Sequence, residues 1–123
     1  MLKQTFLTEL ARLIGPDGFI HDASDLLTYE SDALVHLRAT PGAVVLPTSA
    51  QDVQAVVRLC RREHVALVPR GSGTGLIGGA MAPVGGVMVS LTRMNRILEL
   101  YFANRCATVQ PGLINLWLSQ ATR

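Results

Sequence analysis

The sequence predicts an α/β fold in which short parallel strands are joined by a crossover helix. Two wholly apolar runs, "AVVLP" at 43–47 and "VALVP" at 65–69, bracket a stretch with helical periodicity. Strands apolar on both faces belong to parallel sheets covered by helices, and the 48–64 stretch is long enough to cross over. Immediately after the second run comes "PRGSGTGLIGGA", with five glycines in twelve positions. Glycine is costly to order and has no side chain to pack, so a cluster this dense gives the backbone a task.

The elements follow in chain order. Residues 2–14 place Leu2, Phe6, Leu7, Leu10, Leu13 and Ile14 on one side of a helix closed by Gly15-Pro16. The polar stretch after it holds one short helix near 24–28, with Ser24 as the expected cap, and ends at Pro41-Gly42. The first strand is 43–47. A helix over 48–64 is capped by Ser49 or Thr48, with Asp52 closing a capping interaction and Val53, Val56, Val57 and Cys60 as its buried stripe. The second strand, 65–69, delivers the chain to the glycine loop at a carboxyl edge, where α/β folds bind ligands. Further strands are expected at 85–91, 97–100 and 106–112, the last stopping at Pro111-Gly112 before a final helix.

Composition narrows the function. At 49% hydrophobic, with 16% charged residues and a net charge of +2, the chain suits a folded globular segment and gives no push towards nucleic acid. Its arginines are scattered (Arg58, Arg61, Arg62, Arg93, Arg96) and few aromatics accompany them, so no nucleic-acid partner is expected. Cys60 and Cys106 form no CxxC and no zinc spacing, and both read as buried free thiols in a reducing cytosol. The N-terminus is too polar for a signal peptide and no run approaches a membrane span, so a soluble, cytoplasmic protein is expected. The closing helix reaches Arg123 without a terminator, which reads as a fragment of something longer.

Three readings of the glycine loop can be tested on residues. A phosphate-binding P-loop needs Gly-Lys-Ser/Thr, and no lysine follows Lys3. Gly73, Gly75 and Gly78 satisfy GxGxxG, yet "GAMAPVGG" cannot extend the helix that a dinucleotide fold requires, and residues 87–98 contain no acidic partner for a ribose. The surviving reading is an anion-binding nest of successive amides, with hydroxyls from Ser72 and Thr74 and no carboxylate between Pro69 and Glu99. Arg70 either pairs with the anion or anchors the loop to a carboxylate elsewhere. A plain surface linker is the bland alternative, but linkers are rarely entered from a buried strand or left with apolar Leu76 and Ile77 inside them.

The stretch "AVVLPTSAQDVQAVVRLCRREHVALVPRGSGTGLIGGAMAPVGGVMVSLTRMNRILEL", continued by "ATVQPGLINLWLSQA", resembles the FAD-binding (PCMH-type) domain of the FAD-linked oxidases. Within that family it is most similar to the group holding glycolate oxidase flavoprotein subunits and D-lactate dehydrogenases. The resemblance covers roughly residues 25–123. It implies a helical lead-in over 1–38 and the N-terminal portion of an FAD-binding domain over 39–123, truncated at its C-terminus.

The resemblance also implies site residues. Arg70, Gly71, Ser72, Gly73, Thr74, Gly75, Gly78 and Gly79 would wrap the FAD pyrophosphate. Pro47 and Thr48 would line its adenine side, and Pro111 and Gly112 would form a turn near the cofactor. Some relatives attach the flavin through a histidine in this loop; Thr74 stands at that position, which implies non-covalent FAD. Close relatives carry serine where this chain has Ile77, a side chain that would crowd the cofactor or lose a hydrogen bond.

The implied function is FAD-dependent oxidation of a D-2-hydroxy acid such as glycolate or D-lactate, with the flavin accepting hydride. The substrate cap and its orienting residues would lie beyond Arg123. The full protein would then engage an electron acceptor or other oxidase subunits, reaching a membrane only through them. The alternative is a non-catalytic or degenerate flavin- or nucleotide-binding fragment. No residue of this chain is assigned a catalytic role. His21 and His36 lie in the polar lead-in and His64 follows the crossover helix, each without a partner in sequence. Asp22, Asp25, Glu30 and Asp32 match no cation loop and read as solvated surface, so no metal is expected.

Overall fold

The computed structural model describes residues 1–34, 36–83 and 85–123. Helix α1 (Gln4–Ile14) buries Phe6, Leu7 and Leu10, while Leu13, expected on the same side, is exposed. Gly15 ends it with φ 84°, and its N–H donates to the Ala11 carbonyl at 2.8 Å. A 3₁₀ turn over Pro16–Gly18 then leads into β1 (Phe19–Ile20), a strand too short for its sequence to announce.

Helix α2 (Ala23–Leu26) is capped by Asp22, two residues earlier than the expected Ser24. The Ser24 hydroxyl and amide both donate to Asp22 Oδ1, which holds that carboxyl below its ordinary range. Serine and aspartate are equally good caps, so only the backbone decides between neighbours.

The sheet is built from β1, β2 (Ala43–Val45), β3 (Leu67–Arg70) and β4 (Val87–Ser90), in the order β1-β2-β4-β3. β2 and β3 are parallel, as the apolar runs predict, but they are not neighbours. β4 lies between them and pairs parallel to both, Val89 facing Val45 on one side and Pro69 on the other. Burial explains the order. Every residue of β4 is buried, whereas β3 is only partly so and takes the edge. Pro69 lacks an N–H, and an edge strand tolerates that loss.

Side-chain alternation divides the sheet between two cores. Ala43, Val45, Val87 and Val89 face α1 and helix α3 (Ala50–Arg62), meeting Phe6, Leu10, Val56, Leu59 and Cys60. Val44 and Met88 face the other way, against Leu26, Ala82 and the half-buried Tyr29. α3 begins as its sequence indicates: Ser49 Oγ accepts from the Asp52 N–H at 3.1 Å, and Asp52 Oδ2 accepts from the Thr48 N–H and hydroxyl. Its stripe is shifted, with Leu59 buried and Val57 44% exposed, because α1 crosses on the Val56–Cys60 side.

The chain then leaves the sheet for an antiparallel hairpin of β5 (Ile97–Tyr101) and β6 (Cys106–Val109), followed by α4 (Asn115–Ala121). Cys106 is exposed on that hairpin rather than buried; Cys60 alone lies in the core. No helix among the described residues is long and apolar enough to cross a membrane.

Candidate functional site

β3 runs directly into the glycine loop at the carboxyl edge of the parallel strands, where Arg70 sits opposite Ser90. Parallel strands leave their carboxyl ends free of the crossover helices, so this edge is open to ligands. The fold brings the other expected positions to the same edge. Pro47 follows β2 and is fully buried. The Leu91 N–H, just past β4, donates to the Arg70 carbonyl at 2.9 Å, and the Gly112 N–H donates to the Met94 carbonyl at 2.8 Å. A Cβ on Gly112 would press into the Leu91 carbonyl, so the Pro111-Gly112 turn needs glycine for packing.

Among the described residues, no backbone N–H from Gly71 to Ala80 donates a hydrogen bond within the chain, and neither do the Ser72 and Thr74 hydroxyls. Folded proteins seldom leave a run of donors unpaired unless water or a ligand takes them. The glycines keep this side clear. A Cβ on Gly71 or Gly79 would meet nothing within 4 Å, and Gly73 and Gly78 hold φ values of 72° and 75° that side chains resist. Thr74, Leu76 and Ile77 are exposed, and Ile77, at 89% exposure, packs against nothing that would fix it in place.

Arg70 anchors the loop, but not through a carboxylate. Its Nη1 donates to the Ser31 backbone carbonyl at 2.8 Å, and its guanidinium stands 5.5 Å from the centre of the Tyr29 ring. The anchor is a carbonyl and an aromatic face, with no carboxylate in salt-bridge contact among the described residues. A second tie joins the same two segments, the Ala33 N–H donating to the Gly75 carbonyl at 3.1 Å.

That lead-in segment supplies what sequence reasoning missed. Asp32, expected on a solvated surface, is only 7% exposed and lies under the loop, its Oδ2 facing Gly75. Its Oδ1 accepts from the Leu34 N–H at 2.7 Å. A lone Ser-Asp pair in a polar run carries no signal that a loop some forty positions later will cover it. The carboxylate-free stretch between Pro69 and Glu99 is therefore carboxylate-free in sequence only.

The remaining candidates gather elsewhere or nowhere. His21, His36 and His64 are all exposed, and no metal-binding group of His, Cys, Asp or Glu occurs among the described residues. A groove lined by Leu100, Tyr101, Cys106, Leu118 and Thr122 lies between the hairpin and α4, and no residue of the glycine loop lines it.

Comparison with known proteins places the chain in a family. Residues 41–123 match the model of a family described as FAD binding domain, which covers more than half of the chain. The chain is 35% identical over 121 residues to glycolate oxidase subunit GlcD of Bacillus subtilis (strain 168), covering 98% of this chain and 26% of the relative. It is 40% identical over 120 residues to D-2-hydroxyglutarate dehydrogenase of Stutzerimonas stutzeri (strain A1501), with 98% and 26% covered. Among solved structures, 4-ethylphenol oxidase from Gulosibacter chungangensis superposes with a TM-score of 0.85 at 29% identity, over 97% of this chain and 24% of that one. The chain thus spans about a quarter of the length of the curated relatives it matches.

Proposed function

This chain belongs to the FAD-binding domain family of the FAD-linked oxidases, related to enzymes that oxidise D-2-hydroxy acids, and from that premise we propose that loop 70–79 holds the pyrophosphate of a non-covalently bound FAD. The observation that carries the proposal is the run of unpaired amides from Gly71 to Ala80 on a side that the glycines leave open. Pyrophosphate oxygens are acceptors without donors of their own, and a nest of N–H groups complements them at little conformational cost once the turn is set.

The residues present fit the group. Gly71, Ser72, Gly73, Thr74 and Gly75 offer amides, and Ser72 and Thr74 add hydroxyls. Arg70 acts from behind by holding the loop to Ser31 and Tyr29, and its charge favours an anion on the far side. Gly78 and Gly79 let the chain turn away, while Pro47, Pro111 and Gly112 close the neighbouring rim. Thr74 carries no nucleophilic nitrogen for a flavin bond. Bound FAD supplies a hydride acceptor, and these residues place it and keep its diphosphate anchored.

The full protein is proposed to oxidise a small D-2-hydroxy acid, as the names of the relatives suggest, and to work beside partner subunits like those of a multi-subunit oxidase. The test is an absorption spectrum of the purified protein, repeated on the supernatant after acid precipitation. Flavin bands that move to the supernatant support the reading. Flavin that stays in the pellet overturns the non-covalent link, and a preparation that stays colourless after incubation with FAD overturns the binding role.

A further inference from the structure

The lead-in segment does more than pack beside the loop. Arg70 donates to the Ser31 carbonyl, and Ala33 donates to the Gly75 carbonyl, so residues 31–33 grip the loop at both ends of its phosphate-facing turn. Between those two ties lies Asp32, with Oδ2 fully buried and without a hydrogen-bond partner among the described residues. Gly75 is its neighbour: a Cβ there would stand 3.9 Å from that oxygen. A carboxyl oxygen buried without a donor is costly, and a second state that brings it a donor removes that cost.

Gly75 belongs to the loop, and the loop's N–H groups are likewise unpaired among the described residues. We propose that Asp32 is a positioning residue for the cofactor loop: when residues 71–75 close on the FAD pyrophosphate, a loop N–H or hydroxyl turns onto Asp32 Oδ2. The carboxyl lies on the buried side of the loop, and the open sides of Gly71 and Gly79 are left to the ligand. Arg70, bound at the adjoining Ser31, supplies the opposite charge in the same neighbourhood, which limits repulsion between Asp32 and the diphosphate. Ordering the loop this way makes its remaining amides converge, and pre-organised donors bind more tightly than mobile ones.

This inference rests on the FAD reading above, and its test separates the two. Asp32→Asn keeps the Oδ1 acceptor for the Leu34 N–H but puts a donor in place of Oδ2. FAD affinity is measured by quenching of flavin fluorescence, beside the melting temperature of the FAD-free protein, for wild type, Asp32→Asn and Asp32→Ala. The expected result is FAD binding weakened by about tenfold or more in Asp32→Asn, with the melting temperature of its FAD-free form unchanged or raised. A purely structural carboxyl would lower both together. Equal FAD affinity in Asp32→Asn and wild type overturns the inference alone, as does a loss of affinity that tracks the FAD-free melting temperature across both variants. Wild type that binds no FAD overturns the reading beneath it.

Discussion

The Arg70 guanidinium occupies the place that a side chain on residue 73 would need. Gly73 holds φ 72° in addition, so two separate reasons keep this position bare. Left-handed backbone costs a substituted residue about 1–2 kcal/mol, and the collision adds to it. Gly73→Val is expected to lose FAD while the far-ultraviolet spectrum of the fold persists. Combining Gly73→Ala with Arg70→Ala should recover the steric part only, a coupling of about 1 kcal/mol in urea unfolding. Strict additivity of the two changes would mean that the arginine does not stand where we place it.

Gly71 and Gly112 give opposite expectations for the same substitution. Gly71→Ala meets nothing within 4 Å, so stability should stay within about 0.5 kcal/mol of wild type while FAD affinity drops. Gly112→Ala drives a methyl into the Leu91 carbonyl and should lower stability by about 1–3 kcal/mol. Thermal melts and FAD titrations of the two variants decide the matter. A destabilised Gly71→Ala with intact FAD binding would reverse the assignment.

Much of this was legible in the chain, for a physical reason. β2, α3 and β3 are set by long apolar and helical patterns, and the glycine loop by a composition that nothing but backbone function explains. Strand order was not legible, because β2, β3 and β4 are all apolar and no local signal says which is central. The hairpin pairing was hidden for another reason. Its turn, residues 102–105, contains no glycine, and Arg105 adopts the left-handed conformation (φ 54°) in its place. Asp32 was the least legible, since its burial comes from contacts between segments and leaves no trace in periodicity.

The two thiols should differ in reactivity. Burial pushes Cys60 up to about 11, so it stays protonated and shielded, while Cys106 is exposed on β6. Alkylation at about pH 8 should modify Cys106 alone until the protein unfolds. Because the folded chain holds the Cys60 proton more tightly, the associated stability is complete below the ordinary value of 9.0 and is lost as pH rises towards about 11. Urea midpoints measured across that window should fall in wild type and fall less in Cys60→Ala. Parallel pH profiles would argue against the thiol as the cause.

Ile77→Ser removes an exposed apolar side chain that packs against nothing in the core. Its melting temperature should match wild type, and FAD affinity should hold or rise as the loop loses a bulky, poorly hydrated tip. Weaker FAD binding in this variant would show that the isoleucine contributes to the ligand.

The central place of β4 sets an order of events during synthesis. The first two parallel strands to emerge, β2 and β3, both take β4 as their parallel partner, and β4 is the last of these four strands to be made. Until Val87–Ser90 arrives, β3 has no strand beside it and the crossover closes nothing. The late strand also draws the glycine loop shut, since that loop is the connection from β3 to β4. The loop is held at both ends only once Val87–Ser90 has paired with β3, so the proposed pyrophosphate site takes its shape after that strand is made.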